Sequence, residues 1–344
     1  MSKPILVLKF GTASITKANG EPDEGIIQAI AAQVAQLHGS YQLVIVSSGA
    51  VGAGKHFIQN YEGEISQRKA AAAIGNPILI GIYAKYFAQY GIAIAQSLCE
   101  RQHFGNRDQF LQLKQTYQAL WQNNIIPIAN ENDVVSSREL KFSDNDELAT
   151  LIAVGFEATC LMLCTSVGGF LDKAGQVVPK IEKIDNQILS LVDNSKSALG
   201  LGGMASKLTF ARLANRMGIK VVIFGMNEPD AIPKSLNGDI GSTFMAQESS
   251  VPARNKWLAS GSVAVGKVTI DAGAEAALQL RKSLLAVGVV TIEGDFENGE
   301  VIEIVNPNNE MIAMARVKCS AEELKANIKK QKFEVANASD IVLI

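Results

Sequence analysis

Cysteine and histidine are scarce in this chain of 344 residues, which has four of the first and three of the second. The cysteines form no C-x-x-C pair, and the histidines lie far apart without carboxylates or thiols at metal-ligand spacing. This pattern argues against a zinc site and against a disulfide framework. Reduced thiols are typical of cytosolic proteins, so we expect a cytoplasmic chain. The residues concerned are Cys99, Cys160, Cys164, Cys319, His38, His56 and His103.

Long apolar runs and an excess of charge are also missing. No uninterrupted apolar stretch reaches the roughly 18 residues of a membrane span, and the apolar run near the start is too short for the core of a signal peptide. A net charge of −2 gives no general attraction to nucleic acid or to an anionic membrane. Hydrophobic residues make up 47% of the chain, charged ones 19%, and there are 29 glycines. These values are typical of a soluble α/β enzyme of about two domains.

Apolar, strand-like runs alternate with helix-like segments over roughly the first 250 residues. The pattern begins with PILVLKF and a helical segment over residues 23–38, and it continues through YQLVIVSS, IAIAQSL, IIPIANEN, TCLMLCTS and KVVIFG. Such alternation predicts a mostly parallel sheet covered by helices on both faces, a three-layer αβα sandwich. A long helical stretch over residues 66–91 contains Asn76-Pro77, a candidate break because proline lacks the backbone N–H that a helix uses.

The pattern changes around residues 248–261. From Ser262 onward it consists of short strands and turns, such as VAVGKVTI, GVVTIEG, GEVIEIVNP and MIAMARVKC, with one helix-like AGAEAALQL. Short strands separated by turn residues are typical of a small β-rich domain. The sequence therefore predicts two domains, residues 1–258 and residues 259–344.

Ligands of parallel α/β sheets bind beyond the carboxyl ends of the strands. Five loops follow predicted strands here, after Lys9, Val46, Ala129, Leu163 and Phe224. Lys9 ends an apolar strand, where burying an unpaired ammonium group is costly. It is therefore a candidate site residue, although an exposed lysine is an equally simple interpretation.

The loop after the second strand reads SSGAVGAGKH. Gly49, Gly54 and Lys55 fit the G-x-x-x-x-G-K spacing of a phosphate-binding P-loop, but His56 stands where that motif needs a hydroxyl to hold Mg²⁺. The residues alone leave two interpretations open. One is an altered P-loop, and the other is a glycine-rich turn whose backbone N–H groups approach a different anion.

Three further segments are candidates for chemistry. NENDVVSS and FSDNDELA contain more short polar side chains than a plain turn needs, with helix capping and turn formation as the alternative explanation, and they fail the spacing of a calcium loop. ALGLGGMASK is a glycine-rich segment that enters a helix with Lys207 in its first turn. A helix N-terminus with a lysine suits the phosphates of ATP. Lys9 and Lys207 could flank a phosphoryl group moving to a carboxylate, a transfer that needs cations and positioning rather than a base.

The motifs VLKFGTASIT, IVSSGAVGAGK, NNIIPIANENDVV, SDNDELATLIA and GLGGMASKLTFARLANRMGI stand in the order found in the amino-acid kinase family. From about residue 3 to 258 they resemble its glutamate 5-kinase branch, and the tail is similar to the PUA domain that many members of this branch carry. The resemblance implies the amino-acid kinase fold and ATP-dependent phosphorylation of the γ-carboxylate of L-glutamate, the first step of proline biosynthesis. In this family the turn over residues 47–54 lies at the amino-acid substrate, so the P-loop match is coincidental.

The resemblance also implies roles for individual residues. Lys9 and Lys207 would stabilise charge on the phosphoryl group, and Asp146 would orient both lysines by ion pairing. Glutamate would be bound by Ser48, Asn130, Asp133 and Asn145, with Asp133 suited to its ammonium group. The nucleotide would be bound by Lys9, Thr165, Ser166, Leu201, Gly202, Gly203, Met204, Ala205, Ser206 and Lys207.

Further implications of the resemblance concern ligands and partners. Mg²⁺ would arrive with ATP, because the sequence offers no dedicated cage of ligands. The chain would be a homo-oligomer that proline inhibits, with the glutamyl phosphate reductase of the next step as a candidate partner. The chain departs from the family pattern at Ser166, where an aspartate is usual, and in residues 329–344, which lack the usual His-Arg-Asp-Asp run.

Two other functions fit parts of the sequence. Another carboxylate kinase of the same family, acting on N-acetylglutamate or aspartate, would share the fold, although NENDVV and SDNDELA favour free glutamate. An RNA-binding accessory protein would be expected to have a basic C-terminal domain. Residues 260–344 instead carry nine Lys and Arg against twelve Asp and Glu, so we do not expect RNA binding as the main activity.

Overall fold

The computed structural model describes residues 3–135, 144–184, 188, 191, 203–247 and 266–343. The chain divides into two compact units. The first comprises Met1–Glu100 and Gln115–Ser249, and the second comprises Arg101–Lys114 and Ser250–Ile344. The predicted domain boundary at residue 258 lies outside the described residues.

An eight-stranded sheet forms the centre of the first unit, in the order β3-β4-β2-β1-β5-β7-β8-β6. The strands from β3 to β7 along this order pair in parallel, whereas β8 is antiparallel to β7 and β6 is parallel to β8. The prediction of a mostly parallel sheet is confirmed. The strands are β1 (Ile5–Phe10), β2 (Gln42–Ser47), β3 (Ile94–Cys99), β4 (Ile126–Glu131), β5 (Cys160–Cys164), β6 (Lys180–Ile181), β7 (Lys220–Phe224) and β8 (Ser242–Phe244).

Helices cover both faces of this sheet, as the alternation of β1 shows. Leu6, Leu8 and Phe10 pack in one apolar cluster with residues of the helices Glu24–His38 and Ile65–Ala88. Lys9 points to the opposite face, where it meets the helix Asn145–Gly155. The described helices between residues 12 and 237 are Thr12–Ile15, Glu24–His38, Ala50–Gly54, Ile65–Ala88, Gln102–Gly105, Arg107–Gln122, Asn145–Gly155, Met204–Arg216 and Ala231–Asn237, with a 3-10 turn at Lys55–Phe57.

The helix Ile65–Ala88 is continuous through Pro77. The predicted break at Asn76-Pro77 is therefore wrong. Proline removes the hydrogen bond to the carbonyl four residues earlier, which here belongs to Ala73. Ala73 and Pro77 are both exposed, so water can satisfy that carbonyl, while the buried face of the helix is uninterrupted.

The second unit contains a separate β-rich core, as the sequence predicts. A five-stranded sheet has the order β11-β9-β12-β13-β15, and β10 pairs with β14. Val268, Ile270, Ile302, Ile304 and Phe296 are among its fully buried side chains. The elements are β9 (Gly266–Ile270), helix Ala272–Gln279, β10 (Leu284–Leu285), β11 (Val289–Gly294), β12 (Val301–Val305), β13 (Met311–Arg316), helix Ala321–Asn327, β14 (Glu334–Ala336) and β15 (Ile341–Leu343), with 3-10 turns at Ala286–Gly288 and Ala338–Asp340.

None of the helices in the described part of the chain combines the length and the apolar character needed to cross a membrane.

Candidate active site

Three charged side chains meet at the carboxyl end of β1. Lys9 lies near the end of this strand, Asp146 in the first turn of the helix Asn145–Gly155, and Lys207 in the first turn of the helix Met204–Arg216. Lys9 Nζ lies 2.6 Å from Asp146 Oδ1, and Lys207 Nζ lies 2.8 Å from Asp146 Oδ2. Asp146 is 0% exposed, and the two lysines are 4% and 7% exposed. The structure thus brings together the three residues that the resemblance assigns to catalysis.

The carboxylate of Asp146 holds both ammonium groups in place. Burial raises the pKa of Asp146, but attraction from Lys9 and Lys207 and their hydrogen bonds outweigh it and hold that pKa below its ordinary value. The carboxylate therefore stays ionised at neutral pH, and the cluster of two ammonium groups and one carboxylate is net positive. Gly11 leaves space beside it, since a Cβ at Gly11 would lie 3.2 Å from Lys9 Nζ. A fixed positive cluster that no side chain crowds at Gly11 suits an anion whose charge moves during a reaction.

Asp144 links the two helices that carry Asp146 and Lys207. Its Oδ1 accepts hydrogen bonds from the backbone N–H groups of Asp146 and Glu147 at 2.9 and 3.1 Å, so it caps the helix Asn145–Gly155. Its Oδ2 accepts from Ser206 Oγ at 2.7 Å. The start of each helix is therefore fixed relative to the other.

Ser48, Asn130 and Asn145 form a second, uncharged group of contacts. Asn145 Nδ2 donates to Ser48 Oγ at 2.8 Å and to Asn130 Oδ1 at 2.9 Å. Both hydrogens of the Asn145 amide are thereby used. Its Oδ1 is buried and has no hydrogen-bond partner among the described residues, so it is an acceptor available to a ligand.

The remaining predicted ligand-binding residues occupy several places. Asp133 is half-buried beyond the end of β4, close in sequence to the undescribed residues 136–143. Thr165 follows β5 directly, and its N–H donates to the carbonyl of Phe224 at 2.7 Å. Ser166 follows it with an exposed side chain. Gly203 is the N-cap of the helix Met204–Arg216, whose first turn contains Met204, Ala205, Ser206 and Lys207, while Leu201 and Gly202 lie outside the described residues.

The P-loop-like segment is explained by packing between helices. Gly49 has φ +102°, a backbone conformation that favours glycine, and it caps the short helix Ala50–Gly54. Gly54 is buried, and a Cβ there would collide with the carbonyl oxygen of Ala71 on the helix Ile65–Ala88. The side chain of Lys55 lies against the backbone of Gly20. Gly54 is therefore explained by close packing between two helices, and Lys55 by a contact with the turn at Gly20.

Sequence reasoning missed two residues of this region. Asp144 stood out only as one of several short polar side chains in FSDNDELA, was given no role, and nothing in the sequence indicated its bond to Ser206. Asn76 lies within a helix, and its Oδ1 accepts from Asn130 Nδ2 at 3.2 Å. An asparagine before a proline in an otherwise apolar helix was the only sequence signal for Asn76.

Comparison with known proteins agrees with the fold and the order of the motifs. Residues 4–225 match the model of the amino acid kinase family, and residues 266–337 match that of the PUA domain. The chain is 35% identical to the glutamate 5-kinase of Haemophilus influenzae (strain PittGG), over 98% of this chain and 95% of that protein. It is 36% identical to the glutamate 5-kinase of Pasteurella multocida, over 93% of this chain and 90% of that protein.

Solved structures of the same fold are more distant in sequence. The carbamate kinase of Giardia lamblia bound to AMP-PNP matches with a TM-score of 0.52 and 16% identity, over 72% of this chain and 99% of that one. The UMP kinase of Ureaplasma parvum matches with a TM-score of 0.50 and 14% identity, over 71% of this chain and 100% of that one. These two likenesses concern the fold alone. Together with the family match and the curated relatives, they lead to one conclusion: the chain belongs to the amino acid kinase family, within its glutamate 5-kinases.

Proposed function

We propose that the chain transfers the γ-phosphoryl group of ATP to the γ-carboxylate of L-glutamate, giving L-glutamyl 5-phosphate in the first step of proline biosynthesis. Its glutamate 5-kinase relatives supply the reaction, and one structural observation carries the proposal to this chain. Lys9 and Lys207 are held on the two oxygens of one buried carboxylate, Asp146, at the edge of the sheet where α/β proteins bind ligands.

The chemistry of the acceptor explains why this cluster is sufficient. A γ-carboxylate is already ionised at neutral pH, so no proton has to be removed before its oxygen bonds to phosphorus and the bond from phosphorus to the ADP oxygen breaks. The catalyst has to position the two anions and stabilise charge on the transferring group. Lys9 and Lys207 do so here. Asp146 orients them and does not act as a base, because both of its oxygens are ion-paired.

Glutamate recognition is assigned to the uncharged group beside the cluster. The unpartnered Asn145 Oδ1 accepts from the ammonium group of glutamate, while Ser48 and Asn130 hold the Asn145 amide in place. Asp133 supplies the opposite charge for the ammonium group. A free ammonium group is the feature that distinguishes glutamate from N-acetylglutamate, so this site favours glutamate.

ATP is assigned to the N-terminal end of the helix Met204–Arg216 and to Thr165 and Ser166 after β5. Backbone N–H groups at a helix start attract phosphates, and Lys207 extends from this first turn. Mg²⁺ enters with the nucleotide, bound by its phosphates. Among the described residues no group of three or more His, Cys, Asp and Glu is arranged to hold a metal, and Asp146 is already paired with two lysines.

Our proposal extends to the chain's surroundings. The protein works in the cytoplasm as a homo-oligomer, with domains at residues 1–258 and 259–344. Proline binds the protein as a feedback inhibitor. The glutamyl phosphate reductase of the next step receives its product, a reactive acyl phosphate. Size-exclusion chromatography and ADP-release assays with added proline test the oligomer and the inhibition separately.

A coupled ADP-release assay with a panel of acceptors tests the function. Glutamate is expected to support turnover with MgATP, while N-acetylglutamate, aspartate and carbamate give much lower kcat/KM. Trapping the product with hydroxylamine, which converts an acyl phosphate to a hydroxamate, checks that the carboxylate is the acceptor. Highest turnover with another acceptor, or ADP release without hydroxamate, would contradict the proposal.

A further inference from the structure

Asn76 extends the hydrogen bonds of the candidate active site into the protein interior. It is 6% exposed, and its Oδ1 accepts from Asn130 Nδ2 at 3.2 Å. Asn130 Oδ1 in turn accepts from Asn145 Nδ2 at 2.9 Å. Three side-chain amides therefore form a chain, called here the amide chain, in which each one fixes which end of the next is the donor.

Hydrogen bonds between Asn130 and Asn145 alone do not decide which amide donates and which accepts. Asn130 and Asn145 could both rotate by half a turn and keep the bond between them, with donor and acceptor exchanged. The hydroxyl of Ser48 can donate or accept, so it tolerates either arrangement. Two acceptors that cannot donate oppose the reversal: the carbonyl of Ser47, at a long 3.4 Å from Asn145 Nδ2, and Asn76 Oδ1. Of these two, Asn76 acts on Asn130 directly.

The surroundings of Asn76 suit the orientation in which its Oδ1 faces Asn130. Asn76 lines a cavity of about 10 Å³ together with Ser47, Tyr83 and other residues, which has room for about one water molecule. Ser47 Oγ donates to the carbonyl of Ser48 at 3.1 Å and lies 3.0 Å from the hydroxyl of Tyr83. With Tyr83 as the donor to Ser47, both hydroxyl hydrogens are used, and these two hydroxyls offer only acceptor lone pairs. An N–H group is the complement of such a wall, and Asn76 Nδ2 is a buried donor with no partner among the described residues.

We propose that Asn76 is a positioning residue for recognition of the substrate's amino group. It keeps the amide chain in the direction that presents Asn145 Oδ1, an acceptor, to the ammonium group. In the reversed chain Asn145 would present its NH₂ group, and a donor would then face a donor. This inference rests on the proposed function, because it takes the ligand of Asn145 to be the ammonium group of glutamate.

Three variants separate positioning from packing. Asn76→Leu keeps the approximate size and removes the acceptor, whereas Asn76→Asp keeps an acceptor oxygen for Asn130. Gln96→Leu is the matched control, since Gln96 lines the same cavity and makes no described contact with the amide chain. Asn76→Ala removes the same acceptor without a branched side chain, and it replaces Asn76→Leu if that variant does not fold. For each, the KM values for glutamate and ATP, kcat, and the inhibition constant of glutarate as a competitor of glutamate are measured.

Glutarate is glutamate without the amino group, so it reports everything about the site except amine recognition. Asn76→Leu is expected to raise the KM for glutamate about five- to tenfold, the effect of about one hydrogen bond. It leaves the KM for ATP, kcat and the inhibition constant of glutarate within about twofold of wild type. Asn76→Asp and Gln96→Leu keep the wild-type KM for glutamate.

Two results would overturn the inference. In the first, Asn76→Leu (or Asn76→Ala) weakens the binding of glutamate and of glutarate equally, or weakens the binding of neither. In the second, Asn76→Asp behaves like Asn76→Leu, which would show that the acceptor oxygen does not matter. Failure of the proposed function itself looks different, since the wild-type protein would then not release ADP with glutamate.

Discussion

Ser206 Oγ donates a hydrogen bond of 2.7 Å to Asp144 Oδ2. The contact joins the first turn of the helix that carries Lys207 to the cap of the helix that carries Asp146. The two residues are 62 positions apart in sequence. The helices that carry Lys207 and Asp146 are therefore joined by this hydrogen bond as well as by the ion pair between Lys207 and Asp146.

Removing this bond is expected to loosen the nucleotide side of the site. Ser206→Ala should raise the KM for ATP by roughly tenfold, because a hydrogen bond to a charged carboxylate is lost from the first turn of the helix. Ser206→Thr, which keeps the hydroxyl, should stay close to wild type. Steady-state kinetics with varied ATP decide between these outcomes, and an unchanged KM in Ser206→Ala would show that the bond does not order the nucleotide site.

The buried charge of Asp146 predicts a pH dependence of stability. Its pKa is held below the ordinary value in the folded state, so its contribution to stability is present above the unfolded pKa and is lost as the pH falls through the folded one. Asp146→Asn leaves two buried ammonium groups without their carboxylate and should lower the free energy of unfolding by about 3–5 kcal/mol near neutral pH. The difference between wild type and variant should shrink below about pH 4, where the unfolded carboxyl becomes protonated.

Urea unfolding of the wild-type protein and of Asp146→Asn at several pH values between 3 and 8 checks this. A difference that stays the same across the whole range would mean that ion pairing of Asp146 does not stabilise the fold.

Gly54 and Gly81 make a matched pair for the packing of the P-loop-like segment. A Cβ at Gly54 would meet backbone atoms of Ala71 and Gly75, whereas a Cβ at Gly81 would meet nothing within 4 Å. Gly54→Ala is therefore expected to cost about 1–3 kcal/mol through overpacking, and Gly81→Ala to be neutral or slightly stabilising in its helix. The midpoints of thermal unfolding should fall in the first variant only. Equal unfolding midpoints for the two variants would show that the close helix contact does not require glycine at position 54.

Ser166 tests where the nucleotide lies. Its exposed side chain lies just beyond the end of β5. Ser166→Asp should lower the KM for ATP by several-fold at most, because a charged acceptor makes a stronger hydrogen bond to a ribose or base. The KM for glutamate should not change. The KM for ATP of the neutral variant Ser166→Asn should lie between those of the wild type and of Ser166→Asp. A change in the KM for glutamate alone would show that the nucleotide does not lie beside Ser166.

Much of the fold could be predicted from the sequence. β5 is a continuous apolar run and β1 is one except for Lys9, and the helix Glu24–His38 follows Asp23, whose side chain caps it. The last two strands of the sheet order, β8 and β6, have only three and two residues, too few for a pattern, and the antiparallel pairing of β8 with β7 went unpredicted. The continuity of the helix at Pro77 depends on which face is exposed, which is a tertiary property.

The candidate site was less accessible to sequence reasoning. Lys9 stands out because it ends an apolar strand, and Lys207 because it enters a glycine-rich helix start. The role of Asp146 came from the family resemblance. Asn76 does not stand out, because it becomes relevant only when β4 brings Asn130 against it from 54 residues away. Residues that act through another side chain leave no local pattern.

The central claim is that Lys207, and not Lys55, is the lysine of a glycine-rich segment that serves phosphoryl transfer. The most direct measurement is kcat of Lys207→Ala and Lys55→Ala at saturating glutamate and MgATP, with thermal unfolding as the check on folding. We predict a loss of roughly 10²–10³ in kcat for Lys207→Ala, since it removes one charge stabiliser from a preorganised site. Lys55→Ala should keep wild-type kcat and KM for ATP. Near wild-type turnover of Lys207→Ala, or a large rise in the KM for ATP of Lys55→Ala, would contradict the account.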